Sequence, residues 1–215
     1  MNPSLKHSRR CVIGTLVLSL VLATPALAGP PLICHPIAIG QAHSLLWTSQ
    51  RWNLSGTENY DVKNLVPDAL AILNPNTPVL VRMETLRRAT LYVQNNPQTA
   101  RELLARLHAR TTSAQNAGHP DALALFDEGY LAETYKQWLG KDSSNPAIGI
   151  DGYACVKRAI ELRGQDPQME FAAALITLSG PKDAHHEHVL RATAGANKDP
   201  LLAQNLSSRS MGDNT

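Results

Sequence analysis

The stretch TPVLVRMETLRRATLYVQNN, residues 77–96, decides the fold class of this chain. Apolar or small side chains recur in it at alternating steps of four and three residues, at Val79, Met83, Leu86, Thr90 and Val93. This spacing lines one face of an α-helix. The arginines Arg82, Arg87 and Arg88 fall on other faces of that helix, so we expect them to be exposed to solvent.

Helical periodicity continues from this stretch to the C-terminus, and Gly, Pro and Asn residues separate one segment from the next. Asn95-Asn96-Pro97 ends the first helix and opens the second, in which Glu102 and Arg106 stand four residues apart and are expected to pair. Further helices are predicted over 120–140, 151–164, 166–180, 183–195 and 199–206, with Asp61 capping one more that runs through 73. The chain is therefore predicted to be all-α, built from stacked antiparallel helical hairpins.

Two segments of the chain share a pattern. In ATLYVQNNPQTARELLARL, from Ala89, and AIELRGQDPQMEFAAALIT, from Ala159, the first alanine is followed eight residues later by proline, and the offset between the two segments is 70 residues. This offset is close to twice the 34-residue period of tetratricopeptide repeats, and AIELRGQDPQMEFAAALI resembles the junction between two such repeats. Gly164 stands where that family prefers proline, and Glu170 stands where it has a large aromatic residue.

The resemblance implies a tetratricopeptide-like superhelix, the alternative being an irregular helical array. In such a superhelix the concave face binds a peptide or a protein partner. Here that face would be built by the helices between about residues 78 and 180.

The N-terminus has the features of an export signal. Basic residues precede an uncharged, largely apolar run, and Ala26-Leu27-Ala28 follows as an A-x-A cleavage pattern. We therefore expect residues 1–28 to be a cleaved signal peptide and the mature protein to be periplasmic or secreted. The apolar run, of about 13 residues, is shorter than the roughly 20 that span a bilayer, so no stable membrane insertion is expected after cleavage.

Removal of the signal changes the charge balance. The whole chain has 20 Lys+Arg and 18 Asp+Glu. The signal contains the bases Lys6, Arg9 and Arg10 and no acid, so the mature chain has 17 bases against 18 acids. This balance gives no electrostatic reason to expect nucleic acid as a partner.

The mature chain is predicted to consist of three regions. Residues 29–60 lack a sustained period and are interpreted as an irregular arm or cap. Residues 61–207 form a single all-α domain, and residues 208–215 are polar and expected to be disordered.

Export leaves two cysteines, Cys34 and Cys155. In an oxidising compartment the simplest expectation is one disulfide. It would close a loop of about 120 residues and contribute on the order of 4–5 kcal/mol. A pair of free thiols is the equally weighted alternative, because spacing alone does not bring two Cα atoms within bonding reach.

Candidate chemistry is limited to two clusters. In KDAHHEHVL, His185 and His188 are three residues apart and share a helix face, so they are candidate ligands for Zn²⁺ or Cu²⁺. The alternative is that they are solvated histidines near a helix N-terminus. Cys34 and His35 form the second cluster, a candidate thiol site.

The sequence predicts no cofactor, since it contains neither a Gly-rich phosphate loop nor a nucleophile elbow. We therefore expect a binding or scaffold module with a protein or peptide partner, and not a catalyst. The alternative is a small metal-binding protein or enzyme that uses Cys34, His35 and the histidines at 185–188.

Overall fold

The computed structural model describes residues 31–48, 54, 56–140 and 143–208. These residues are all-α, as predicted, and contain no β-strand. A 3-10 turn at Val62–Asn64 precedes the α-helices, which are α1 Leu65–Ile72, α2 Val79–Tyr92, α3 Pro97–Asn116, α4 Ala122–Trp138, α5 Gly152–Arg163, α6 Pro167–Thr177, α7 Lys182–Ala196 and α8 Pro200–Ser207.

Local signals in the sequence place the helix ends. Asp121, Asp151, Asp166 and Asp199 each accept hydrogen bonds from backbone N–H groups in the first turn of α4, α5, α6 and α8. These side chains satisfy donors that have no partner inside the helix. Gly164 ends α5 with φ +71°, a left-handed conformation that favours glycine. Gly164 and Asp166 thus mark the end of α5 and the start of α6.

The helix predicted from residues 77–96 is confirmed as α2, but its surroundings differ from the prediction. It packs mainly against α4, and it also contacts α1 and α6. Arg82 and Arg87, predicted to be exposed, are only 1% and 0% accessible, and Arg88 is half-buried. The prediction was wrong because α4 covers one polar flank of the helix and the N-terminal arm covers another.

Two arginines of α2 share one buried acid of the same helix. Arg87 donates to both carboxylate oxygens of Glu84, from Nε at 2.8 Å and from Nη2 at 2.9 Å, and Arg88 Nε donates to Glu84 Oε1 at 2.7 Å. Burial acts to raise the pKa of Glu84, but the two arginines outweigh it and hold the pKa below its usual value. We call Glu84, Arg87 and Arg88 the α2 charge cluster.

Residues 31–48, the first described stretch of the arm, are irregular, as predicted, and lie against this cluster. The Ile37 N–H donates to Glu84 at 2.9 Å, and the carbonyls of Ile33 and Leu45 accept from the two arginines at 3.0 and 2.6 Å. Backbone groups buried outside regular secondary structure need such partners. The polar side of α2 therefore serves as the hydrogen-bonding surface for the arm.

A second contact ties the arm to the far end of the chain. The Ala38 N–H donates to Asn205 Oδ1 on α8 at 2.8 Å, and Asn205 Nδ2 donates back to the Ala38 carbonyl at 2.9 Å. Asn205 is fully buried. The first and last described segments of the chain are thus bound to each other by one side chain.

Helices α4 and α5 approach each other closely at a pair of glycines. A Cβ atom on Gly129 would lie 2.6 Å from the Gly152 carbonyl oxygen. Only residues without a side chain permit this contact, so α4 and α5 cross with their backbones touching. Helices α6 and α7 pack together over a similarly extensive surface.

Some predictions concern residues outside the described ranges. They include the signal peptide at 1–28, most of the tail at 208–215, and Trp52 in the arm. No helix among the described residues has both the length and the apolar character needed to cross a membrane.

Candidate functional site

A groove lies where the C-terminal end of α1, the C-terminal half of α3 and the start of α4 meet. Its volume is about 800 Å³, within the range of about 300–1,000 Å³ that is usual for ligand sites. Most of its wall is apolar, formed by Leu70, Leu73, Ala109, Ala114, Leu123 and Ala124. We call it the α1–α3–α4 groove.

A buried ion pair lines the groove. Arg82 Nη1 on α2 lies 2.5 Å from Asp127 Oδ2 on α4, and each side chain is 2% exposed. Arg82 also donates from Nε to the Thr77 carbonyl at 3.0 Å and from Nη2 to the Asn74 carbonyl. The guanidinium therefore joins α4 to the loop between α1 and α2. Each of its three nitrogens has an acceptor, which offsets the loss of hydration in the interior.

The second carboxyl oxygen of Asp127, Oδ1, does not take part in the ion pair with Arg82. Oδ1 is buried and has no hydrogen-bond partner among the described residues. Burial raises the pKa of Asp127 to about 7, although the charge of Arg82 acts in the opposite direction. Near neutral pH this carboxyl group therefore offers either an acceptor or a donor to a ligand in the groove.

Two arginines of α3 line the same groove. Arg110 donates to the carbonyls of Leu73 and Leu70 at 3.0 and 3.3 Å, and so caps the C-terminal end of α1. Arg106 is exposed and makes no hydrogen bond or ion pair with a described residue, so its predicted pairing with Glu102 is not formed. Its guanidinium is thus available to bind a carboxylate.

The one further acid of the groove is already engaged. Asp121 Oδ1 accepts from the N–H groups of Leu123 and Ala124, at 2.8 and 3.2 Å, and caps α4. The groove therefore presents an apolar wall with a partner-free arginine and a buried, half-satisfied carboxyl group.

Sequence reasoning did not identify this pair of residues. Arg82 interrupts the apolar run Val79–Met83, and Asp127 lies inside ALALFDEGYLA, which is apolar on nearly every face. A helix that is apolar all round is buried, so an acid at its centre is buried too. The apolar surroundings of Arg82 in α2 and of Asp127 in α4 are therefore the sequence feature from which their burial could have been predicted.

The predicted histidine pair lies elsewhere, on α7. His185 Nδ1 is 2.9 Å from the Ala174 carbonyl. His188 Nδ1 is 2.5 Å from Glu170 Oε2, and its Nε2 is 2.9 Å from the Tyr153 hydroxyl. Both ring nitrogens of His188 are occupied by protein partners, so the predicted metal pair receives no support from this geometry.

Cys34 and Cys155, the cysteines among the described residues, are free thiols, and the predicted disulfide between them is not formed. Cys34 lies in the arm near Arg87, and Cys155 lies on α5 beside Gly129, so the fold keeps them apart. Burial raises the pKa of both thiols, and neighbouring acids raise that of Cys155 further. Both cysteines therefore remain protonated, weak nucleophiles at neutral pH.

The aromatic residues of the arm pack against α2. The Trp47 ring meets Tyr92 edge-on with centroids 5.5 Å apart, and Arg87 and Arg88 lie over it at 5.4 and 5.8 Å from its centroid. These contacts anchor the arm on α2.

Within the described ranges, no three or more histidine, cysteine, aspartate or glutamate side chains are grouped to hold a metal ion. Comparison with known proteins gives no relative: no family model, no curated protein and no solved structure matches this chain.

Proposed function

We propose that this protein is an exported binding module that takes an acidic, partly apolar peptide segment of a partner protein into the α1–α3–α4 groove. The observation that supports it is the combination, in one groove, of an arginine, Arg106, and a buried carboxyl oxygen of Asp127, neither of which has a partner among the described residues. The tetratricopeptide-like pattern of the sequence, which implies a peptide-binding surface, is a second and independent support.

The chemistry of the groove fits a peptide better than a purely apolar ligand. An extended peptide carries backbone N–H and C=O groups, so it can satisfy Asp127 Oδ1 in either protonation state of that carboxyl group. An acidic side chain or a terminal carboxylate is the natural partner of Arg106, because carboxylates bind guanidinium groups in a two-point geometry. The apolar wall takes the remaining side chains of the segment.

Charge supports the choice of an acidic partner. Arg82 is neutralised by Asp127, and Asp121 is engaged as a helix cap, so Arg106 and Arg110 determine the sign of the accessible charge. A positively charged groove attracts an acidic segment and repels a basic one.

The proposal is tested with an array of short peptides of varied acidic and apolar content, probed with the labelled protein. We expect retention of acidic-apolar peptides, and a loss of about tenfold or more for Arg106→Glu, because the new carboxylate repels the ligand. Arg101→Glu is the matched control: Arg101 is exposed on the same helix, does not line the groove and has no described partner.

Equal losses in the two variants would contradict the proposal, since they would indicate general attraction to a basic surface. Crosslinking in the native envelope fraction then identifies the partner. A specific partner captured by the wild type and by Arg101→Glu, but not by Arg106→Glu, is the expected result.

A further inference from the structure

A second cleft, of about 480 Å³, lies between α5, the start of α6 and α7. It shares no lining residue with the α1–α3–α4 groove. Glu170 of α6, which is 0% exposed, lines it together with His188 and Arg191 of α7 and Lys157 of α5. A fully buried carboxylate that borders a cleft is unusual unless its oxygens have partners.

One oxygen of Glu170 is held firmly. Oε2 lies 2.5 Å from His188 Nδ1, and His188 Nε2 lies 2.9 Å from the Tyr153 hydroxyl. With a neutral imidazole, this geometry has Nδ1–H donating to Glu170 and the phenol donating to Nε2. The carboxylate–imidazole–phenol chain therefore fixes the position of Glu170 between three helices.

The carboxylate–imidazole–phenol chain does not activate Tyr153 as a nucleophile. Burial raises the pKa of Tyr153, and the nearby charge of Glu170 raises it further, so the phenol keeps its proton. The carboxylate–imidazole–phenol chain orients the Glu170 carboxylate, and the function of the cleft depends on the ligand that this carboxylate binds.

The second oxygen of Glu170 has no hydrogen bond to any residue that the structure describes. Oε1 is buried, and its nearest charged neighbour is Arg191 Nη1 at 3.7 Å, beyond hydrogen-bonding distance. A buried carboxylate oxygen without a donor is costly, and a charged donor compensates best. Arg191 supplies a positive charge at this distance but no hydrogen bond, whereas a ligand ammonium group would supply both a charge and N–H donors.

The walls of the cleft supply the opposite charge. Lys157 and Arg191 are both exposed and line it from α5 and α7. Arg191 Nη2 also donates to Glu187 Oε2 at 3.2 Å, whereas its Nη1 faces Glu170. Lys157 Nζ lies 4.8 Å from the centre of the Tyr153 ring, which places the ammonium beside the carboxylate–imidazole–phenol chain. The acid Glu161 also lines the cleft but pairs with Arg158 at 2.8 Å. Two cations above one buried anion form a site with both signs of charge.

We propose that this cleft binds a small zwitterion of the α-amino acid class, whose ammonium group donates to Glu170 Oε1 and whose carboxylate lies between Lys157 and Arg191. This is a ligand site separate from the proposed peptide groove. Loss of one site does not predict loss of the other, and the two proposals stand or fall independently.

The test uses the full ¹⁵N-labelled chain and NMR chemical-shift titration with four probes: glycine, L-alanine, methylammonium and acetate. We expect saturable shifts of the backbone amides around Glu170, His188 and Gln165 with the two amino acids at concentrations up to about 10 mM. Methylammonium and acetate each offer one charge, so neither is expected to saturate in that range. Saturation by acetate alone, or by no probe, would overturn the proposal.

Exposed variants test the roles of the walls without disturbing the core. Lys157→Gln and Arg191→Gln are each expected to weaken glycine binding about fivefold to tenfold. Lys182→Gln, an exposed lysine of α7 that does not line the cleft, is the control and is expected to bind as the wild type does. Wild-type affinity in both wall variants would overturn the proposal.

Glu170→Gln tests the base of the cleft. The amide oxygen can still accept from His188, but the charge that holds the ammonium group is lost, so we expect glycine binding to disappear. If this variant does not fold, the two exposed variants decide the result by themselves. A folded Glu170→Gln protein that binds glycine with unchanged affinity would contradict the proposed contact.

Discussion

Arg82 and Asp127 lie in the interior of a helical domain, where two ionised side chains lose their hydration. Their mutual contact at 2.5 Å and the carbonyls of Asn74 and Thr77 replace that hydration for Arg82. For Asp127 the replacement is incomplete, since Oδ1 has no described partner. The same two residues thus fasten the loop between α1 and α2 to α4 and leave one polar atom for a ligand.

We expect Arg82→Met to reduce the free energy of unfolding by about 3–5 kcal/mol, because it leaves Asp127 buried without its cation. The double variant Arg82→Met/Asp127→Leu is expected to be more stable than Arg82→Met, since it removes both buried charges at similar volume. Urea unfolding followed by circular dichroism measures both. If the double variant were less stable than Arg82→Met, the expectation would be contradicted, because removal of the unpaired Asp127 charge would not have restored stability.

The titration of Asp127 gives a second expectation. Its pKa of about 7 in the folded chain exceeds the usual 3.8, so between these values the folded chain binds more protons than the unfolded chain. Its contribution to stability is therefore full below about pH 4 and is lost as the pH rises to about 7, at up to about 1.4 kcal/mol per pH unit.

Asp127→Asn removes this titration. We expect its unfolding free energy to fall less steeply than that of the wild type between about pH 5 and 7, in denaturant unfolding at each pH. Asp183→Asn changes an exposed carboxylate on α7 and should retain the wild-type slope. Parallel curves for the wild type and Asp127→Asn would contradict the raised pKa.

At the scale of the helices, the sequence identified each element from signals that act over a few residues. The aspartate caps, the prolines at the starts of α3, α6 and α8, and Gly164 at the end of α5 all act locally. Such signals work without tertiary structure, so they can be read from one sequence. The ends of most helices could therefore be predicted to within a few residues.

The surroundings of each helix could not be predicted in the same way. The period of α2 defined an apolar face, but the polar faces are buried by α4 and by an arm about 50 residues away in sequence. The periodicity of a helix shows which of its faces is apolar, but it does not show which elements pack against its other faces. For the same reason the burial and partners of Asp127 and Glu170 could not be predicted, because the helices that surround them meet only in the folded chain.

The arm is itself an element without regular structure, so its stability depends on side chains from elsewhere. We expect Asn205→Ala to leave both backbone groups of Ala38 without partners, at a cost of about 1–3 kcal/mol. Hydrogen exchange should accelerate at the Ala38 amide far more than at the amides of α2. Gln204→Ala, a change at the neighbouring exposed side chain, should leave both unchanged. Equal acceleration in the arm and in α2 would indicate that the arm does not open separately.

At the scale of the whole molecule, the arm is attached to the domain by apolar side chains buried in the core, such as Leu32, Ile37 and Leu45, and by polar and aromatic contacts with other elements. The α2 charge cluster binds its backbone, Asn205 binds Ala38, and Trp47 packs against Tyr92. The sequence suggested attachment through Cys34, because cysteines are conspicuous in an exported chain. Besides the apolar side chains, the attaching groups are charged, amide and aromatic side chains whose function depends on position, so composition does not reveal them.

This mode of attachment sets an expectation for the whole molecule. A disulfide between Cys34 and Cys155 would close a loop of about 120 residues, worth on the order of 4–5 kcal/mol, and its reduction would lower the unfolding midpoint by roughly 10 °C. Because both thiols are free, we expect the midpoint to be the same with and without a reductant. Alkylation of the unfolded protein under non-reducing conditions should then label both cysteines, which peptide mass spectrometry detects. A reductant-dependent midpoint together with a linked Cys34–Cys155 peptide would show that the arm is held covalently and that the polar contacts are secondary.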